Sequence, residues 1–111
     1  MILVLKFIRT TTPAYISLNK GKYLVGRDKK SDILIEHPTV SRKHCLIEFK
    51  KDKWIITDLG SKNGVFINEN PVLTSGALKD GDKLKIGKVN LRVEIYPEED
   101  YLIEKLSKLP V

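Results

Sequence analysis

Residues 84–95 read Leu84-Lys85-Ile86-Gly87-Lys88-Val89-Asn90-Leu91-Arg92-Val93-Glu94-Ile95. On either side of Gly87-Lys88 every second residue is apolar and its neighbours are polar. A period of two sends alternate side chains to opposite faces of a strand, so the stretch predicts a short strand and then a long last one, each with one buried face. The same pattern spreads outward. His44–Phe49 alternates, Asp52 marks the next turn, and Trp54–Thr57 follows. Val65–Ile67 and Pro71–Leu73 flank Asn68-Glu69-Asn70, and Ala77-Leu78 precedes the turn Lys79-Asp80-Gly81. Toward the N-terminus, Ile2–Arg9 and Ala14–Leu18 read as strands separated by Pro13. Asn19-Lys20-Gly21-Lys22 reads as a hairpin turn returning through Tyr23–Val25, and Ile33–Ile35 stands ahead of the loop around Pro38. That makes eleven candidate strands, and no helical period occurs before Pro97. The expected fold is an all-β sandwich with loops gathered at its ends.

The C-terminal stretch differs. Leu102, Ile103, Leu106 and Leu109 recur at helical spacing, with acids at the start and lysines at the end. A helix is therefore expected over 98–109, short enough that it must dock on something, either its own sandwich or a second copy. Residues 1–96 form the expected domain and 97–111 an extension or linker, leaving monomer and helix-mediated dimer both open. The whole chain has 111 residues, so one domain is expected at about 150 residues per domain. Cys45 is the single cysteine, which excludes a disulfide framework; with two histidines it leaves too few ligands for structural zinc. No apolar run nears a membrane span of about 18 residues, and Met1–Ile8 lacks the basic leader and cleavage site of a signal peptide. The expectation is a reduced, cytoplasmic protein with no metal, cofactor or membrane partner. Net charge is +6, but residues 94–111 hold five acids against two lysines, so residues 1–93 carry +9. A basic body invites an anion: nucleic acid, a membrane surface or a phosphorylated protein.

Three loops hold residues suited to an anion. Gly26-Arg27 ends a strand, where glycine permits close backbone approach and arginine presents a planar donor fork. Thr39-Val40-Ser41-Arg42-Lys43-His44 places a hydroxyl beside two cations and ahead of a histidine. It reads as an anion site, as a nucleophile with its base (Ser41 and His44, with no third orienting group), or as a plain turn leading into a strand. Asp58-Leu59-Gly60-Ser61-Lys62-Asn63-Gly64 is a turn that also offers a hydroxyl, an ammonium and an amide in succession.

Taken in this order and spacing, Gly26-Arg27, Ser41-Arg42-Lys43-His44 and Ser61-Lys62-Asn63-Gly64 resemble the forkhead-associated (FHA) family. His37-Pro38-Thr39-Val40, Asp58-Leu59-Gly60 and Leu78-Lys79-Asp80-Gly81-Asp82-Lys83-Leu84-Lys85-Ile86-Gly87 add to the match, which covers roughly residues 1–96. The resemblance implies an eleven-stranded sandwich and a non-enzymatic module that reads phosphothreonine peptides. It implies that Arg27, Ser41 and Lys62 meet the phosphate, with Arg42 a further contact. It also implies that Ser61 lines the pocket and Asn63 grips the peptide backbone. Gly26, His44 and Gly64 are then structural. The partner implied is a phosphothreonine protein, or another domain of the same protein, in signalling or transcription regulation. One departure is Asn68-Glu69-Asn70, where the family usually has an Asn-Gly turn. The rival expectation is a basic nucleic-acid-binding β-domain, which needs aromatics interleaved with the cations to stack bases.

Overall fold

Turn residues divide the described part of the chain into eleven short strands, and the pattern of burial decides which face of each is inside. The computed structural model describes residues 1–8 and 14–98. Its strands are β1 (Ile2–Phe7), β2 (Tyr15–Leu18), β3 (Lys22–Gly26), β4 (Ile33–Leu34), β5 (Cys45–Lys50), β6 (Lys53–Asp58), β7 (Val65–Ile67), β8 (Asn70–Pro71), β9 (Ser75–Leu78), β10 (Lys83–Ile86) and β11 (Val89–Tyr96). They form two sheets, ordered β2-β1-β11-β10-β7-β8 and β4-β3-β5-β6-β9. The β3–β4 pair is parallel, and the other ladders are antiparallel. All but the first residue of the helix expected over 98–109 lies outside the described residues, as does the expected end of the first strand at Arg9.

The core lies between the sheets. Leu3, Leu5, Leu84, Ile86, Leu91 and Val93 face inward from the first sheet, and Val25, Ile47, Trp54 and Ile56 from the second. Phe49 and Tyr23 lean on Trp54, with ring centroids 5.3 and 6.4 Å away. Burying large apolar side chains of this kind supplies about 1.5–3 kcal/mol each. Ile2 and Val4 alternate with the inward Leu3 and Leu5; they lie outside that core cluster and are nonetheless buried.

Two expectations are corrected. Residues 19–22 turn tightly, with Lys20 and Gly21 at φ 92° and 97°, but they do not make a hairpin. β2 pairs with β1 in one sheet, whereas β3 pairs with β5 and β4 in the other. The turn is a crossover between sheets, because the apolar faces of both strands point into the same core from opposite sides. The strand expected over 71–73 is Asn70–Pro71. After Val72 bonds to Val65 the chain leaves the first sheet and joins the second at Ser75, so Leu73 stands 90% exposed. Asn68 and Glu69 both have positive φ, 49° and 72°, which is the type I′ geometry of a two-residue hairpin, here with glutamate where glycine is at ease.

The register also gathers the loops. Val25 pairs with Cys45 and Cys45 with Asp58; Ile86 pairs with both Val65 and Val89. The β3–β4, β4–β5, β6–β7 and β10–β11 connections therefore emerge at one end of the sandwich. No helix among the described residues is long and apolar enough to cross a membrane.

Candidate functional site

That loop end is organised around His44, which is fully buried. Its ring accepts a hydrogen bond at Nδ1 from the Ser41 backbone N–H (2.9 Å), so Nε2 carries the proton and donates it to the Gly64 carbonyl (2.8 Å). Its own N–H donates to Val25 O, and its carbonyl accepts from Leu59 N–H. One side chain and its backbone thus tie the end of β3, the β4–β5 loop and the β6–β7 loop together. Both ring nitrogens are engaged, and neither faces the Ser41 hydroxyl. The pairing of Ser41 and His44 as nucleophile and base does not form.

Ser41 instead accepts at Oγ from the Lys62 backbone N–H (3.1 Å). A hydroxyl has one proton to give and two lone pairs, so this bond orients Ser41 and leaves its proton for a ligand. Arg27 donates from Nε to Val40 O (3.0 Å) and, from its backbone, to Ser41 O (3.0 Å). The guanidinium is held at its base, and its two terminal NH₂ groups make no bond among the described residues. Asn63 donates from Nδ2 to Thr39 O (2.8 Å). Ser61 closes its own loop, donating from its backbone to Asp58 Oδ1 and accepting at Oγ from Gly64 N–H, both at 3.0 Å. The side chains of Arg42 and Lys43 are exposed and make no hydrogen bond or ion pair among the described residues. Residues 27, 41, 62 and 63, far apart in sequence, are therefore neighbours at one rim.

Glycine is required where backbones touch. A Cβ on Gly26 would stand 1.9 Å from Arg42 O, so the strand end and the β4–β5 loop close only without a side chain. Gly64 lies at φ +81°, in left-handed backbone. Sequence reading gave no role to two further residues. Thr39 accepts Asn63 at its carbonyl and Lys88 N–H at Oγ1 (2.9 Å), with His37 Nδ1 2.8 Å away. Gly87, at φ +59°, presses against it: a Cβ there would lie 2.6 Å from Thr39 O. Together they seat the β10–β11 turn beside the other loops. Their signal in the sequence is only a threonine and a glycine in loops, because the contact spans 48 positions. Away from the rim, Asp82 is buried and accepts from Asn68 Nδ2 (2.8 Å) and Lys79 N–H (2.7 Å), which fixes the β7–β8 hairpin.

Cys45, also fully buried, has its thiol pushed far above the usual range, first by burial and then by the charge of Asp58. Such a thiol stays protonated and inert. The rim therefore offers hydrogen-bond donors and cations at fixed positions, a pattern that suits an anion with several acceptor oxygens.

Comparison with known proteins agrees with the geometry. The glycogen accumulation regulator GarA of Mycobacterium tuberculosis H37Rv is 39% identical over 66 residues, which is 60% of this chain and 40% of that relative. The curated relatives are thus longer proteins, of which this chain matches about half or less. Among solved structures, the FHA domain of CT664 from Chlamydia trachomatis superimposes with a TM-score of 0.81 at 27% identity, covering 87% of this chain and all of the other. Mycobacterium tuberculosis EmbR, solved in complex with a low-affinity phosphopeptide, gives 0.78 at 26% identity, covering 85% of this chain and 24% of EmbR. The FHA domain model matches residues 23–87, a span that includes Arg27, Ser41, His44 and Asn63, and the chain belongs to the FHA domain family.

Proposed function

We propose that residues 1–96 bind a phosphothreonine segment of a partner protein through the loop end, and that residues 97–111 are an extension outside this module. FHA domains are interaction modules rather than enzymes. The observation that carries the reading is the pairing of Arg27 and Ser41. Each is fixed by one hydrogen bond within the protein and keeps other donors turned to solvent. A phosphate brings a charge of about −1.5 to −2 and three acceptor oxygens. The terminal NH₂ groups of Arg27 and the Ser41 hydroxyl are assigned to those oxygens. The Lys62 ammonium adds charge. Arg42, exposed next to Ser41, is a further contact to the phosphate. Ser61 lines the pocket and holds its loop. Asn63 uses the rest of its amide on the peptide backbone beside the phosphothreonine. Because Arg27, Ser41, Ser61 and Asn63 are held by hydrogen bonds before binding, little entropy is lost when they engage.

Threonine is preferred over serine through its methyl group and its restricted χ1. One buried methyl is worth about 0.8 kcal/mol, or roughly fourfold in affinity. Lys29, Lys30 and Lys43 border the rim and favour acids flanking the phosphothreonine. The module serves recruitment in a signalling or transcription-regulating protein of the cytoplasm, the partner being a separate protein or a neighbouring domain.

The test is a matched set of peptides carrying phosphothreonine, phosphoserine or plain threonine, measured by calorimetry. Binding is expected for phosphothreonine and absent for plain threonine. Arg27→Ala should weaken the phosphothreonine peptide by roughly tenfold to a hundredfold, the worth of one charge-assisted hydrogen bond at about 1.5–3 kcal/mol. Equal affinity for all three peptides would sink the reading.

A further inference from the structure

The outer face of the first sheet carries more positive charge than the fold pairs with acids. Lys83 on β10 stands directly opposite Arg92 on β11, and Arg92 directly opposite Lys6 on β1. Lys85 lies two residues beyond Lys83 on the same face. Like charges placed opposite each other across strands destabilise a sheet. Lys6 is offset by Glu94 at 3.0 Å; Lys83, Lys85 and Arg92 have no acid within ion-pair distance among the described residues. Between β11, β10 and β7 this face sinks into a groove of about 630 Å³, lined by these three cations together with Phe66, Asn90 and Glu69. Glu69 is the one acid lining it among the described residues.

We propose that this groove is a second docking surface, separate from the loop end, for an extended acidic segment of a partner protein. The spacing fits a strand-like ligand. Lys83 and Lys85 are two residues apart on one strand, roughly 6.6 Å, the same repeat at which carboxylates in a Glu-x-Glu-x-Glu segment recur on one side of an extended chain. The cross-strand position of Arg92 lets its fork receive a carboxylate bidentately beside Lys83. A nucleic acid fits less well. Stacking platforms need successive free aromatic faces. The groove has one aromatic ring, and the Lys85 ammonium already lies over it, 5.2 Å from the Phe66 centroid. Trp54 and Phe49 pack on each other inside the sandwich.

This proposal stands on the groove and does not require the phosphothreonine reading. The test uses the full chain and three unphosphorylated probes: a twelve-residue peptide containing Glu-x-Glu-x-Glu, the same peptide with glutamine for glutamate, and a single-stranded oligonucleotide. The acidic peptide should bind, weaken steeply with added salt, and weaken roughly tenfold or more in Lys83→Glu/Arg92→Glu. Arg27→Ala should leave it unchanged. Lys83→Gln/Arg92→Gln, which removes the repulsion without adding acids, keeps the fold secure and should show the same direction. Failure of the acidic peptide to bind overturns the proposal, as does equal binding of the glutamine peptide. So does loss through Arg27→Ala, or tighter binding of the oligonucleotide through the same residues. If concentration-dependent dimerisation is abolished by the groove variants, the occupant is the acidic segment of a second copy and not a partner, and the proposal falls.

Discussion

At the loop end, Arg27 is anchored by its Nε on Val40 and Ser41 by its Oγ on Lys62, with His44 buried beneath them. On the outer face of the first sheet, Arg92 stands between Lys83 and Lys6, and its side chain makes no hydrogen bond or ion pair among the described residues. Both regions present cations to solvent. In the first, hydrogen bonds fix each donor during folding, so a ligand meets a preset geometry and selectivity follows. In the second, the charged ends of Lys83 and Arg92 have no partner among the described residues, and the attraction is Coulombic, reaching about 10 Å at 0.1 M salt and screened beyond that. Arrangements of the second kind speed and orient encounters more than they discriminate. Geometry is costly to disturb and loose charge is not, so substitutions in the two regions should differ in size and even in sign.

The largest effect is expected from Gly26→Ala. A Cβ 1.9 Å from Arg42 O forces β3 and the β4–β5 loop apart. Overpacking of this severity costs about 3 kcal/mol or more, and the rim loses its shape with it. Urea unfolding and phosphopeptide titration should fail together; an unchanged midpoint would break the contrast. His44→Ala comes next. It strips partners from the Ser41 N–H and the Gly64 carbonyl and leaves a cavity. Unsatisfied buried groups cost about 1–3 kcal/mol each, so a loss of roughly 2–5 kcal/mol is expected, against less than about 0.5 kcal/mol for the exposed Arg27→Ala. Thermal unfolding of the two variants side by side measures the ratio. A third change has the opposite sign. Glu69→Gly relieves left-handed backbone at φ 72° and removes the acid from the groove. It should stabilise the protein by about 1 kcal/mol and leave phosphothreonine binding alone. A destabilised Glu69→Gly protein would mean that Glu69 has a partner role in the hairpin.

Much of this was legible in the sequence, and the strands show why. Eleven were countable because the longer ones carry a period of two and turn residues bound the short ones, a purely local signal. The misread turn at 19–22 shows the limit. Asn19-Lys20-Gly21 specifies a reversal of direction, but whether the next strand pairs with the last one or crosses to the facing sheet depends on which partner covers its apolar side. Leu73 reads as a strand residue because it is apolar, but it stands exposed because the chain there leaves one sheet for the other.

The site divides in the same way. Arg27, Ser41, Lys62 and Asn63 could be picked out because their chemistry and order form a motif. The sequence alone also determined the all-β class and the basic body. Only the tertiary structure decided that His44 carries its proton on Nε2, that Thr39 and Gly87 seat a fourth loop against the rim, and that Lys83, Arg92 and Lys6 form one row. Each of these depends on residues tens of positions apart. Local physics sets which face of a strand is apolar, but only the assembled sandwich sets which side chains meet.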